Sequence, residues 1–333
     1  MKLVADDKIP YIAEFFTPCD SIIMLPGESI AHHDLIDADI LLTRTVTKIN
    51  AHLLNNTSVK FVGTATTGTD HIETDWLTQQ SIFLATAAGA NSQAVFEYVS
   101  DCIAVLQKKN YLTGSTLTAG IIGFGRIGRL VADLLQALGF NVIIYDPLLT
   151  EKLRYHFVSL DELIAYADLI SIHTPLTKTG LFPTYHMINE ILLKKIKSSA
   201  VLINTSRGSV IDQQALLNHK NITLCLDVWE HEPKISLELL NKVIIGTPHI
   251  AGYSMEAKYR ATEMIYESAA QFFGWDPSIT HQKNNFANRN KLSTPKYDPL
   301  THTQQFKNAF QNCKTDDEIA TVFMHERKHY RLR

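Results

Sequence analysis

Long apolar runs are missing from this sequence of 333 residues. No stretch approaches the roughly 20 residues that a helix needs to cross a bilayer, so no membrane-spanning role is expected. The first ten residues, Met1 to Pro10, carry charges where a secretory leader needs an apolar centre, so no leader is expected. Cysteine is scarce: Cys19, Cys102, Cys225 and Cys313 lie far apart, with no CxxC pair. That spacing favours reduced thiols in a cytoplasmic protein over a disulfide frame. There is no surplus of one charge sign, and a net charge of −3 offers nucleic acid no basic field. Repeats and low-complexity runs are absent. What remains is ordinary globular composition, 45% hydrophobic and 20% charged, in a chain long enough for two or three domains. One imbalance is local. From Lys283 onward ten Lys/Arg stand against five Asp/Glu, which reads first as a solvated surface and second as arginines meeting an anionic ligand.

The centre of the chain is Ala119–Asp146. The apolar run Gly120-Ile121-Ile122 meets Gly123, Gly125 and Gly128, and Ile127, Leu130, Val131, Leu134, Leu135 and Leu138 then recur at helical steps. Gly139 closes that helix, and a second strand, Asn141–Tyr145, ends on Asp146. This strand–glycine turn–helix–strand–acid order is the context a dinucleotide fingerprint requires. Gly123 allows the turn, Gly125 lets backbone approach a pyrophosphate, and Gly128 lets helix pack on sheet. The helix N-terminus offers N–H groups to phosphate. Asp146 is placed to bind ribose hydroxyls and to repel the extra phosphate of NADP, so NAD is the expected cofactor.

Before that centre, short apolar runs at Leu3-Val4, Ile22–Leu25, Ile40–Leu42, Phe61–Thr64 and Ile82–Leu84 alternate with helical stretches, a βα pattern with a parallel sheet. Two polar loops follow strands here, Arg44-Thr45-Val46-Thr47-Lys48 and Gly63–Asp70, where α/β domains bind ligands. Helices are expected over Asn91–Lys108 and Ser254–Phe273, the second returning to the first domain. Further strands are expected at Leu169–Ile172, Ala200–Ile203, Thr223–Leu226 and Val243–Ile245. A polar linker from Asn284 precedes two helical stretches, Thr303–Cys313 and Asp316–Arg327, best suited to oligomer contacts. The expected fold is α/β: two Rossmann-like doubly wound parallel-sheet domains plus a small C-terminal dimerisation segment. The expected boundaries are 1–92 with 257–282, 93–256, and 283–333.

Three strand-end segments supply a guanidinium, a carboxylate and an imidazole: Asn204–Gly208, Asp227–Pro233 and Thr247–Gly252. Oxidising an alcohol beside NAD needs a base for the hydroxyl proton, a fork for a carboxylate, and an acid that orients the base. With His173-Thr174-Pro175-Leu176-Thr177 and Arg207–Asp212, these motifs resemble the D-2-hydroxyacid dehydrogenase family from about Arg44 to Gly252. The resemblance implies that Arg207 binds substrate, that Glu232 supports the histidine, and that His249 is the acid/base. It also implies that Thr174, Thr205, Asp227 and Gly252 join Asp146 around NAD. Arg126 and Ile127 at the glycine turn, with Ser206 and Arg207 beside Thr205, complete the cofactor set. Within the family the chain looks most like the branch acting on 4-phospho-D-erythronate in pyridoxal 5'-phosphate biosynthesis. This rests on Arg44–Lys48, Phe61–Thr66, Lys178–Thr184, His249–Ser254 and Asp298–Thr303. Thr45, Thr66 and Tyr253 carry over as substrate contacts, and Arg44 is placed on the phosphate because guanidinium grips phosphate in a fork. The resemblance also implies a homodimer. Members usually continue past Arg333, so the resemblance leaves open whether the dimerisation domain is whole in this sequence.

Two other functions use the same residues: a dehydrogenase for another acid (3-phosphoglycerate, glycerate or lactate), or an NAD-sensing binding protein. The set Arg207, Glu232 and His249 weighs against pure binding, which needs no acid/base pair. His325-Glu326-Arg327-Lys328-His329 matches HExxH formally, but a solvated basic helix is the better reading and no metal is expected.

Overall fold

The computed structural model describes residues 1–149, 154–219, 221–276 and 297–330. Two compact units emerge. Met1–Asn91 and a return segment beginning at Tyr253 form one, and Ser92–Gly252 with the tail helices form the other.

The first unit is a parallel sheet of β1 (Lys2–Asp6), β2 (Ser21–Leu25), β3 (Ile40–Thr43), β4 (Phe61–Thr64) and β5 (Phe83–Thr86), in the order β2-β1-β3-β4-β5. β3 and β4 are buried throughout, as strands covered on both faces must be. Side chains alternate between the faces. Leu3 and Ala5 pack with Ile265, Tyr266 and Ala269 of the return helix, Met255–Phe273, whereas Val4, Leu41 and Val62 pack with Leu35, Leu53 and Leu77. The return helix starts at Ser254, whose hydroxyl accepts from the Ala257 N–H. The strand order reverses at β1/β3, so ligand-binding loops are expected at the carboxyl ends of those strands.

The second unit carries β6 (Thr118–Ile122), β7 (Asn141–Tyr145), β8 (His156–Phe157), β9 (Leu169–Ile172), β10 (Val201–Asn204), β11 (Thr223–Leu226) and β12 (Ile245–Gly246). Their order is β12-β11-β10-β9-β6-β7-β8, all parallel. Its reversal lies at β6/β9, where the glycine turn begins. The edge strand β8 has no counterpart in the sequence reading, because two residues leave no periodic signal.

The tail, expected as a third domain, packs into this unit: Phe306, Phe310 and Phe323 enter the core that holds Trp229. Its first helix begins earlier than expected, at Pro299–Ala309, because Asp298 caps it by accepting from Leu300 and Thr301 N–H with Pro299 in the first turn. The second tail helix, Asp316–Lys328, opens with a capping box between Thr315 and Glu318. The expected polar linker from Asn284 falls largely outside the described residues. Among the described residues no helix is long and apolar enough to cross a membrane.

Candidate active site

The glycine turn is built for close approach. Gly123 has φ +88°, and a Cβ there would lie 2.6 Å from the His173 carbonyl oxygen. A Cβ on Gly128 would lie 2.1 Å from the Gly123 oxygen. Both glycines are therefore needed by the chain itself. Gly125 differs, because a Cβ there would meet nothing within 4 Å, so the space in front of it is left for something else. The helix Arg126–Ala137 begins at Gly125 without a side-chain cap, which leaves its first N–H groups to an anion. Arg126 is exposed and Ile127 half-buried in that first turn. Asp146 accepts from the Phe124 N–H at 2.8 Å and the Leu148 N–H at 3.1 Å. Its carboxylate is thereby pinned beside the turn with lone pairs to spare. Thr174 follows β9 and is half-buried. The Thr205 hydroxyl is buried with no hydrogen-bond partner, an orphan that a bound ligand would satisfy. These features fit a dinucleotide cofactor.

The same unit holds the acid/base pair. His249 Nδ1 lies 2.8 Å from Glu232 Oε2, and Glu232 Oε1 accepts from the Trp229 N–H at 2.8 Å. Burial pushes the Glu232 pKa up. The charge of His249, its hydrogen bond, the Trp229 N–H and the charge of Arg327 outweigh this and hold it below the usual range. With the Nδ1 proton directed at the carboxylate, Nε2 is the nitrogen left to receive a proton. Glu230 is occupied elsewhere, by His186 Nε2 at 2.6 Å and the Gln213 N–H at 3.1 Å.

His249 holds φ +57°, a left-handed backbone that costs a non-glycine residue on the order of 1 kcal/mol or more. Asp227 sustains it. Its buried carboxylate accepts from Thr247 Oγ1 (2.6 Å), Ile250 N (2.8 Å) and Ala251 N (3.0 Å), and its carbonyl from His249 N (2.7 Å). Asp227, expected around the cofactor, braces the histidine loop through its carboxylate. Thr247 Oγ1, its hydrogen given to Asp227, accepts from Tyr98 Oη at 2.7 Å, and Trp229 Nε1 donates to the Thr247 carbonyl at 2.8 Å. Gly252 ends this loop, half-buried.

The Arg207 loop is organised by Asn204. Its Oδ1 accepts from Ser206 N and Oγ, and its Nδ2 donates to the Arg207 carbonyl. Arg207 donates from Nη1 to the Ser206 oxygen at 2.9 Å. A Cβ on Gly208 would lie 1.9 Å from the Trp229 carbonyl carbon, so this loop abuts the segment that presents Glu232. The segment Asn204–Gly208 was expected at the site, but the separate parts played by Asn204 and Gly208, and Tyr98 altogether, escaped the sequence reading. An Asn closing a buried strand and a Gly directly after the arginine were the available signals for the first two, and Tyr98 carried none.

The expected substrate contacts Arg44, Thr45, Thr66 and Tyr253 all belong to the first unit. Arg44 Nε donates to buried Asp6 Oδ2 at 2.9 Å. Thr66 Oγ1 donates to the Gly68 carbonyl and lies 2.7 Å from Thr64 Oγ1, which in turn lies 3.3 Å from His71 Nε2. Thr45 is exposed and Tyr253 half-buried. In the HExxH-like run the His325 and His329 rings pack at 4.1 Å, and no group of three metal-ligating side chains occurs among the described residues.

Residues 101–251 match the family model of the D-isomer specific 2-hydroxyacid dehydrogenase NAD binding domain. The chain is 48% identical over 274 residues to the erythronate-4-phosphate dehydrogenase of Coxiella burnetii (strain RSA 331), spanning 82% of this chain and 75% of that protein. It is 44% identical over 279 residues to the erythronate-4-phosphate dehydrogenase of Proteus mirabilis, spanning 82% and 74%. Among solved structures, D-lactate dehydrogenase from Aquifex aeolicus complexed with NAD and lactic acid is similar, with TM-score 0.68 and 27% identity over 84% of this chain and 97% of that one.

Proposed function

This chain belongs to the erythronate-4-phosphate dehydrogenases of the D-isomer specific 2-hydroxyacid dehydrogenase family, and we propose that it oxidises 4-phospho-D-erythronate at C2. The product is (R)-3-hydroxy-2-oxo-4-phosphooxybutanoate, in pyridoxal 5'-phosphate biosynthesis. The observation that carries the reading is the His249–Glu232 pair at 2.8 Å beside the Arg207 loop, in a chain 48% identical to a relative of that name.

Arg207 grips the substrate carboxylate through its guanidinium fork. His249 Nε2 takes the C2 hydroxyl proton. Glu232 fixes the imidazole tautomer and stabilises the imidazolium that forms. NAD⁺ supplies the hydride acceptor, held by the turn of Gly123, Gly125 and Gly128, by Asp146, and by Thr174 and Thr205. Thr45, Thr66 and Tyr253 are substrate contacts, and Arg44 takes the phosphate. The enzyme works as a homodimer through the tail, supported by the family resemblance, and in the cytoplasm, supported by four free cysteines.

The test is a panel of 4-phospho-D-erythronate, D-3-phosphoglycerate, D-glycerate and D-lactate with NAD⁺. NADH absorbance is followed with an added 2-oxoacid, in case NADH stays bound. A clear preference for 4-phospho-D-erythronate is expected. Preference for another acid overturns the substrate, and silence on all four, with NAD⁺ still bound, favours a binding protein.

A further inference from the structure

The first unit holds cations at its own switch point that the acid/base chemistry does not use. β1 ends on Asp6, and β3 is followed by Arg44, so their ion pair straddles the β1/β3 reversal. Asp6 is fully buried, and a Cβ on Gly27 would lie 2.0 Å from its Oδ2. The carboxylate takes Nε of Arg44 and the Lys8 N–H, each at 2.9 Å. It therefore anchors one edge of the guanidinium, while the Nη nitrogens have no hydrogen bond among the described residues.

The return helix brings a second cation to the same edge. Ile265 crosses β4 at Gly63, where a Cβ would lie 2.5 Å from Ile265 Cγ2. Thr262 Oγ1 then donates to the Pro10 carbonyl, beyond the end of β1, at 2.9 Å. Lys258 is one turn further on, about 10 Å along the axis from Ile265 at ~1.5 Å per residue. It is thus carried past the carboxyl ends of the strands. Lys258 makes no hydrogen bond or ion pair through its ammonium among the described residues, and it is exposed to solvent. Packing around it and the like charge of Arg44 nonetheless hold its pKa below the ordinary lysine range. Two cations sharing an edge, one of them braced by a buried acid, are stabilised by an anion that meets both.

We infer that Lys258 and Arg44 together form a phosphate-monoester subsite on the first unit, with Lys258 the second cation on the substrate's terminal phosphate. The identity of that phosphate rests on the function proposed above. The subsite itself rests on the Asp6–Arg44–Lys258 arrangement.

The test compares wild type with Lys258→Gln and Lys258→Arg on 4-phospho-D-erythronate and on unphosphorylated D-erythronate. A charged hydrogen bond lost from phosphate should lower the ratio of their kcat/KM values roughly 10- to 100-fold in Lys258→Gln, mainly through KM. Lys258→Arg should restore most of it. A folding defect would lower both substrates together and leave the ratio unchanged. Inorganic phosphate binding, followed by calorimetry, should weaken in parallel. An unchanged ratio and unchanged phosphate affinity in Lys258→Gln overturn the subsite while leaving the proposed reaction in place. If wild type does not oxidise 4-phospho-D-erythronate, the reaction fails, and phosphate affinity alone still decides the subsite.

Discussion

Replacing Glu232 by Gln is the sharpest test of how the acid/base pair works. The side chain keeps its size and an oxygen for the Trp229 N–H, but loses the charge that faces His249 Nδ1 at 2.8 Å. Two unit charges ~4 Å apart interact by about 4 kcal/mol at an effective dielectric of ~20. That is an upper figure here, because the His249 and Glu232 side chains are 28% and 19% exposed. Hydrogen bonds to charged groups contribute about 1.5–3 kcal/mol net. Because the imidazolium appears only as the proton moves, the loss should fall on kcat, roughly 10- to 100-fold, with substrate KM little changed. Steady-state NADH formation, with C2-deuterated substrate to show that hydride transfer limits the variant, measures this. A second arm uses coupling: in a His249→Ala background, adding Glu232→Gln should cost almost nothing further. Full additivity of the two losses, or an unaltered kcat in a folded Glu232→Gln protein, would refute the idea that Glu232 acts through His249.

The same carboxylate makes stability depend on pH. The charge of His249 and the hydrogen bonds to its carboxylate hold its folded pKa below the ordinary glutamate range, so its stabilisation is fully present above that range and is lost as pH falls through the folded value. Urea unfolding of wild type and Glu232→Gln should therefore show a stability gap at pH 6 that narrows toward pH 3; a gap that widens on acidification contradicts the assignment. Gly125→Ala should fold with a midpoint within about 2 °C of wild type, since its methyl enters empty space, while the KM for NAD⁺ rises. Gly123→Ala, at φ +88° and 2.6 Å from the His173 oxygen, should lose upward of ~1 kcal/mol in denaturant titrations, and equal stability of the two variants would contradict their division of labour. Asp146→Ser removes the carboxylate pinned beside Phe124, so the ratio of NADP⁺ to NAD⁺ turnover should rise, and an unmoved ratio would take cofactor choice away from Asp146.

Much of the fold was legible because local patterns carried it. The apolar runs of β3, β4, β9 and β10 are too short for helices and too apolar for surface, so they had to be covered parallel strands. Gly123 and Gly128 announce a turn that other residues could not make, and Ser254 caps the helix that follows it. Sequence also supplied the chemistry of Arg207, Glu232 and His249, because residue types at strand ends restrict what a site can do.

The family pattern points to Glu232 as the acid that serves the histidine, and only tertiary structure shows what occupies Glu230. Glu230 and Glu232 are two residues apart and chemically equivalent on the page, yet one turns to His186 and the other to His249. The Asp227 carboxylate holds the loop that carries His249 at φ +57°, and it reaches that loop only because β11 and β12 pair. The tail's docking through Phe306 and Phe323 likewise has no local signature. The pairing of Asp6 with Arg44, 38 positions apart, arises only when β1 and β3 become neighbours. Periodicity and turn chemistry act over a few residues, so sequence specifies elements and candidate groups. Hydrogen-bond partners and charge neighbours are set by distances in space, which only the packed sheets define.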